Sequence, residues 1–321
     1  MIVALAGGVG GAKLALGLSE VLKPAELLIA VNTGDDFEHL GLHISPDLDT
    51  VMYTLAGMND PVQGWGIAGE TWNFMQALEK LGGQTWFRLG DRDMATHIER
   101  TARLRAGQTL SAVTERLCAS LAIEHRIVPM SDDPVRTIVH TAEGTLAFQD
   151  YFVRLAAEPV VTGLEYRGAQ RARMSPGLQA ALGDTRLYAI IICPSNPYLS
   201  IGPMLAVPGV REAIERRRVP VIAVSPIVDG RALKGPAAKI MCELGEEASA
   251  LTVARFYRGL IDTLVFDHAD ERLAAPIRAL GQQAQVTHTV MRDRDSRMAL
   301  ANALVGLTHA PIGSAMDAGL R

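Results

Sequence analysis

An apolar run, Met1-Ile-Val-Ala-Leu-Ala6, leads straight into Gly7-Gly-Val-Gly-Gly-Ala-Lys13, and no other stretch restricts the fold of this chain so strongly. Four glycines in five positions exceed what a plain turn needs. They permit close backbone approach and positive φ, so amides at the start of the next helix can face an anion. Leu14, Leu18, Val21 and Leu22 then recur at helical spacing, and Leu27 to Val31 is a second apolar run. A strand, a glycine turn, a helix and a strand make a βαβ unit, whose crossover is right-handed and whose strands are parallel. Asn32-Thr-Gly-Asp-Asp36 therefore leaves the second strand at the same carboxyl edge as the glycine loop, the edge where such sheets bind ligands. Phosphate-friendly backbone beside carboxylates points to metal-assisted phosphate chemistry.

The rest of the chain extends this unit. Thr50–Leu55 and Glu70–Leu81 are spaced as helices around a loop at 57–69, Trp86–Leu89 is strand-like, and Gly90-Asp-Arg-Asp93 opens a helix running to Arg105. Leu110–Leu121 predicts another helix. From Arg126 the texture becomes β-like through residues 126–129, 137–141, 145–155 and 159–166, with a hairpin turn at Glu143-Gly144. Strands at Arg186–Cys193, Pro220–Ser225, Thr263–Phe266 and Gln285–Val290, with helices at Pro208–Arg217 and Glu246–Leu260, restore the α/β pattern. The expected fold is α/β: a Rossmann-like three-layer parallel sheet with extra helices over 1–125 and 185–321, interrupted by a small β-rich insertion lobe at 126–184.

Composition narrows the partners. A net charge of -4 and a pI near 6.1 give no general attraction to nucleic acid or an anionic membrane. No apolar run approaches the roughly 20 residues of a membrane span, and the N-terminus lacks a basic leader, so a cytoplasmic protein acting on small molecules is expected. Cys118, Cys193 and Cys242 form no CxxC and read as reduced core thiols. Neither HExxH nor G-x-S-x-G occurs, and His43, His97 and His140 lack metal-ligand spacing.

Several residue groups suit phosphate chemistry. Gly8, Gly10 and Gly11 supply amides and Lys13 a mobile cation, although the loop lacks the Lys-Ser/Thr ending of a P-loop and the usual dinucleotide spacing. Asp35, with Asp36 in reserve, and Asp49 in Ser45-Pro-Asp-Leu-Asp-Thr50 can each offer a carboxylate to magnesium, which favours one or two carboxylates plus phosphate oxygens. Asp47, after Pro46, fits a helix cap equally well. Arg88, Asp91, Arg92, Asp93 and His97 form either an anion clamp or a solvated ion-pair cluster. Ser195 and Asn196, stiffened by Pro194 and Pro197, suit a base or a phosphate. Trp65, Trp72 and Trp86 make either a flat ligand wall or core.

Taken in order, Gly7–Lys13, Asn32–Asp36, Ser45–Tyr53, Leu89–His97, Met130-Ser-Asp-Asp133 and Pro194–Pro203 resemble the 2-phospho-L-lactate transferases of coenzyme F-420 biosynthesis, over nearly the whole chain. The resemblance implies a homodimeric, magnesium-dependent enzyme that joins the deazaflavin Fo to a three-carbon phospho-acid carried on guanosine diphosphate. The ribityl hydroxyl of Fo attacks the phosphorus bearing the acid, and GMP leaves. The acid is lactate-, enolpyruvate- or glycerate-derived. Mapped by motif, Asp35 and Asp49 become metal or hydroxyl contacts, one of them a possible general base. Asp49, Arg88, Asp91, Trp65 and Trp72 face Fo, and Gly8, Gly10, Gly11, Lys13, Ser195 and Asn196 hold the nucleotide. Loop closure should exclude water, because donor hydrolysis competes. The alternative is a nucleotide-sugar-binding regulatory protein of the related fold. A third possibility, an NAD-dependent dehydrogenase, leaves Asp49 and the Ser195-Asn196 loop without a task.

Overall fold

Strands β1 (Ile2–Ala6) and β2 (Leu27–Val31) are buried along their whole length and run parallel, with Ile2 opposite Leu27 and Ala6 opposite Val31. Helix α1 (Gly8–Val21) joins them. The structure, a computed structural model, describes residues 1–308. After β2 come a short hairpin, β3 (Phe37–His39) and β4 (Leu42–Ile44), and the helices α2 (Pro46–Leu55), α3 (Asn73–Lys80), α4 (Asp93–Arg105) and α5 (Leu110–Ser120). Strand β5 (Arg126–Pro129) then pairs with β2. An antiparallel sheet of β6 (Arg136–Thr141), β7 (Gly144–Ala147) and β8 (Val161–Arg167) is followed by α6 (Pro176–Leu182). Strand β9 (Ala189–Ile192) returns to the free side of β1, after which come α7 (Gly202–Ala206), α8 (Val210–Glu215) and β10 (Val221–Val224). A second small hairpin, β11 (Ile227–Val228) and β12 (Arg231–Ala232), precedes α9 (Ala237–Glu243), α10 (Ala250–Phe256), β13 (Thr263–Asp267), α11 (Ala274–Arg278), β14 (Gln283–Thr287) and α12 (Arg294–Leu307).

The main sheet has the order β14-β13-β10-β9-β1-β2-β5, and every pairing in it is parallel. Strand order therefore reverses between β1 and β9, and the crevice beyond their carboxyl ends is the ligand position of an open α/β sheet. Burial alternates along β1. Val3 and Leu5 join the core under α6, α7, α8, α10 and α11, while Ile2, Ala4 and Ala6 join the core under α1, α2, α5 and α12. Both faces are covered, which is why these strands read as unbroken apolar runs. Two satellite cores sit beside the crevice. One, around Val139, Tyr151 and Val161, holds the antiparallel lobe; the other, around Ile44, Met75 and Leu89, holds the β3–β4 hairpin against α3.

Four expectations are corrected. Arg126–Pro129 is the edge strand of the main sheet, in register with Leu28–Val31, and not part of the lobe. Trp86–Leu89 is no strand: Trp86 and Phe87 instead pack edge-on against Phe37 and His39. The extended run after the lobe's turn stops at Ala147 and gives way to a π-helical turn, Asp150–Arg154. Cys118 and Cys193 are buried, but Cys242 is exposed on α9.

Candidate functional site

The switch point brings the loop after β1 against the loop after β9. Gly7 N–H donates to Ser195 Oγ at 3.1 Å. A Cβ on Gly10 would collide with the Pro194 carbonyl, and one on Gly11 would come within 2.7 Å of Ser195 Oγ, so backbone contact between the loops needs both glycines. Gly8 has φ +64° and allows the sharp entry into α1. Val9 and Gly10 line a cavity of about 600 Å3 at the first turn of α1, where helix N–H groups have no intrahelical partner. Asn196 Oδ1 accepts from the amides of Tyr198 and Leu199, which leaves its buried Nδ2 without a protein partner at the cavity wall. Lys13 also lines the cavity and donates to the Met291 carbonyl at 3.1 Å.

Beside this loop lies an acidic cluster that one amide organises. Asn32 Nδ2 stands 3.2 Å from Asp35 Oδ1 and 2.9 Å from Asp47 Oδ2, while Asn32 Oδ1 accepts from Gly34 N–H. Asp47 Oδ1 also accepts from Gly8 N–H at 2.7 Å, so Asp47 caps α1 rather than its own helix. Burial above all, then the charges of Asp47 and Asp36, hold the Asp35 carboxyl well above the usual carboxylate range. Burial likewise lifts Asp47 to about 6, against hydrogen bonds from Asn32 and Gly8. Asp36 turns away from the cavity and accepts from Ser45 Oγ at 2.8 Å, with His43 Nε2 3.1 Å away. Among the described residues no three Asp, Glu, His or Cys side chains could enclose a metal ion. Asp35 and Asp47, both held by Asn32 Nδ2 and both raised, are the paired carboxylates at the cavity; Asp49, expected beside Asp35, is not one of them.

Asp49 belongs to a different network. Two residues along a helix rotate a side chain by about 200°, so Asp49 points away from Asp47. Both of its oxygens meet the guanidinium of Arg100, Oδ2 at 3.1 Å from Nη1 and Oδ1 in a short contact with Nη2. His97 Nδ1 is 3.7 Å from Asp49, and His97 Nε2 is 3.2 Å from Asp93, which accepts from Tyr53 Oη at 2.6 Å. Burial would raise the Asp93 carboxyl, but His97, Tyr53 and Arg100 outweigh it and hold the group low. Asp49, Tyr53, Asp93 and His97 together line the second half of the cavity.

The structure thus gathers Gly8, Gly10, Lys13, Asp35, Asp49, Trp65, Arg88, Ser195 and Asn196 around one cavity, joined by Trp86 and Phe87. It sets three expected residues apart. Gly11 packs inside the fold against Ser195. Trp72 lies beneath Arg88, whose guanidinium carbon is 4.0 Å above the indole ring. Asp91 caps α3 through Asn73 N–H and Phe74 N–H, and the hydrogen bond from Thr71, with these amides, pulls its carboxyl down to about 2. Glu70 caps α4 in return, through Arg92 and Asp93 N–H. Sequence reasoning passed over Asn32, Tyr53 and Arg100. The signals were the i, i+4 pair Asp49 and Tyr53 on α2, and the i, i+3 pair His97 and Arg100 on α4.

The model of the 2-phospho-L-lactate transferase CofD family matches residues 2–304. A phosphoenolpyruvate transferase of Streptomyces griseus is 43% identical over 314 residues, covering 95% of this chain and 98% of the relative. A 2-phospho-L-lactate transferase of Methanosarcina mazei is 39% identical over 304 residues, covering 95% and 99%. In fold, the chain is similar to a crystal structure of a upf0052-family protein from Bacillus halodurans, with a TM-score of 0.61 over 95% of this chain and 98% of that one. At 14% identity that likeness concerns the fold alone.

Proposed function

The chain belongs to the 2-phospho-L-lactate transferase CofD family, and from that premise we propose that it transfers a three-carbon phospho-acid from a guanosine diphosphate-linked donor to the ribityl hydroxyl of Fo, releasing GMP. The observation that carries this reading is a single cavity with two unlike halves. The first turn of α1, Lys13 and the unpartnered Asn196 amide suit a diphosphate and its nucleoside. Arg88, Asp49 and the indoles of Trp65 and Trp86 suit a flat, polar-edged ring system bearing hydroxyls. Asp47 stands on the donor side, against Gly8, and Asn32 ties Asp35 to it.

The raised carboxylates fit two tasks. Asp35 and Asp47 would hold magnesium, which when bound neutralises phosphate charge. Asp35, which lines the cavity where the attacking hydroxyl would arrive, is also placed to accept its proton. Asn32 keeps both carboxylates oriented from beneath. The first-turn amides of α1 would stabilise charge on the departing nucleotide phosphate. Because the family is one of transferases, binding-only regulation does not account for the carboxylates of the cavity.

Purified protein supplied with Fo, magnesium and the lactyl, enolpyruvyl or glyceryl guanosine diphosphate donor is expected to release GMP with at least one of the three. Folded protein that binds Fo yet releases no GMP with any of them would overturn the proposal.

A further inference from the structure

Arg100 is 1% exposed and sits directly beneath the cavity floor, with Asp49 at 5% and His97 at 2%. Its two terminal nitrogens grip both oxygens of Asp49, and Nη1 lies 3.4 Å from His97 Nδ1. A buried ion pair contributes little net stability compared with apolar residues of the same volume, because both charges lose their hydration. A planar fork on a planar carboxylate does fix orientation. An ionised carboxylate has about four acceptor positions. Arg100 occupies one side of the group, so the remaining positions of this cavity-lining carboxylate keep one constant direction.

We propose that Arg100 is a positioning residue for the acceptor substrate: it acts through Asp49, sets the affinity for the hydroxyl-bearing ring compound, and leaves the donor half untouched. The separation follows from α2. Its first turn sends Asp47 to Gly8 and Asn32 on the donor side and Asp49 to Arg100 on the other. Arg100 makes no contact with the glycine loop or with Asn196 in the hydrogen bonds of the site, so its loss should not reach the nucleotide directly. The inference rests on the transferase reading for the identity of the acceptor.

The test compares Arg100→Lys, Asp49→Asn and the double variant, measuring KM for Fo, KM for the donor, and Fo binding by calorimetry. Wild-type turnover is measured first, so that failure of the transferase reading shows itself before any variant is read. Arg100→Lys keeps the charge and loses the fork. It is expected to weaken Fo binding about tenfold or more while the donor KM stays within about twofold. The double variant should bind Fo no worse than Asp49→Asn alone, because the paired hydrogen bonds that Arg100→Lys removes are made to that carboxylate. Equal losses for both substrates, or additive losses in the double variant, would overturn the proposal. If Arg100→Lys does not fold, Arg100→Met is made in the Asp49→Asn background, where no unpaired charge is left buried. Fo affinity equal to that of Asp49→Asn supports the inference, and a further loss rejects it.

Discussion

At the scale of single residues, two carboxylates separated by one leucine have opposite electrostatic surroundings. Asp49 faces a guanidinium, whereas Asp47 faces Asp35 and lies buried beside an amide and a helix N-terminus. For Asp47 the folded pKa is raised, from 3.8 to about 6. A group raised in this way contributes stability that is fully present below about pH 4 and lost as pH rises through 6. The shift corresponds to roughly 3 kcal/mol. In cation-free buffer, urea unfolding should therefore show stability falling between pH 4 and pH 7, and the fall should be shallower in Asp47→Asn. Magnesium should restore wild-type stability above pH 6 and do much less for the variant. Equal pH slopes for the two proteins in chelator would show that Asp47 is not the group under strain. The assignment of Asp47 to this cluster was only half legible in the sequence. Its place after Pro46 marks a helix start, and the cap it provides turned out to serve a different helix.

Elements explain the rest of what the sequence did and did not reveal. Strands β1, β2, β9, β10 and β13 are buried on both faces, so continuous apolar runs marked them, and Gly7, Asn32 and Ser225 directly after β1, β2 and β10 marked where carboxyl-edge loops begin. Arg126–Pro129 has the same composition as a lobe strand, and only its long-range pairing with β2 tells the two apart. Hairpin β3–β4 has three-residue strands around Leu40 and Gly41, both at positive φ, and is too short to leave a period. Trp86 and Phe87 carry strand-type side chains, yet they serve a local aromatic cluster with Phe37 and His39. Trp72 shows how an element end prepares a site residue. It precedes α3, which Asp91 caps, and its ring supports Arg88 from outside the cavity. A cation over an indole at an exposed site contributes about 0.5–1 kcal/mol, so Trp72→Ala should raise the KM for Fo roughly twofold to fivefold. Trp72→Phe should recover part of this, and kcat should stay near wild type. A donor KM that rises in parallel would mean that Trp72 supports the whole loop and not Arg88.

Across the whole molecule, the cavity is bounded by segments that are distant in the chain and meet over its mouth. The loop at 57–69 supplies Trp65, which is 42% exposed, and the loop after β12 supplies Leu233, which is 57% exposed; both line the cavity. Lys234 reaches from the second loop to the first, its Nζ 3.5 Å from the Val62 carbonyl and 3.4 Å from that of Gln63. The lobe adds Phe148 and Phe152, stacked with ring centroids 5.4 Å apart. A donor containing a reactive diphosphate needs such a cover, because water competes with the acceptor hydroxyl for the same phosphorus. Long contacts from one exposed lysine fasten the loops only weakly, a contribution of about 1 kcal/mol. The expected consequence is a change of partition and not a loss of chemistry. Lys234→Ala should release GMP at close to the wild-type rate, but the yield of transfer product per GMP should fall up to roughly fivefold as donor is diverted to hydrolysis. Trp65 emission, read in a Trp72→Phe/Trp86→Phe background, should shift on donor binding in the wild-type loop and shift less once Lys234 is removed. An unchanged product-to-GMP ratio would show that the Lys234 link does not exclude water, and would turn attention to Phe148 and Phe152, which also line the cavity.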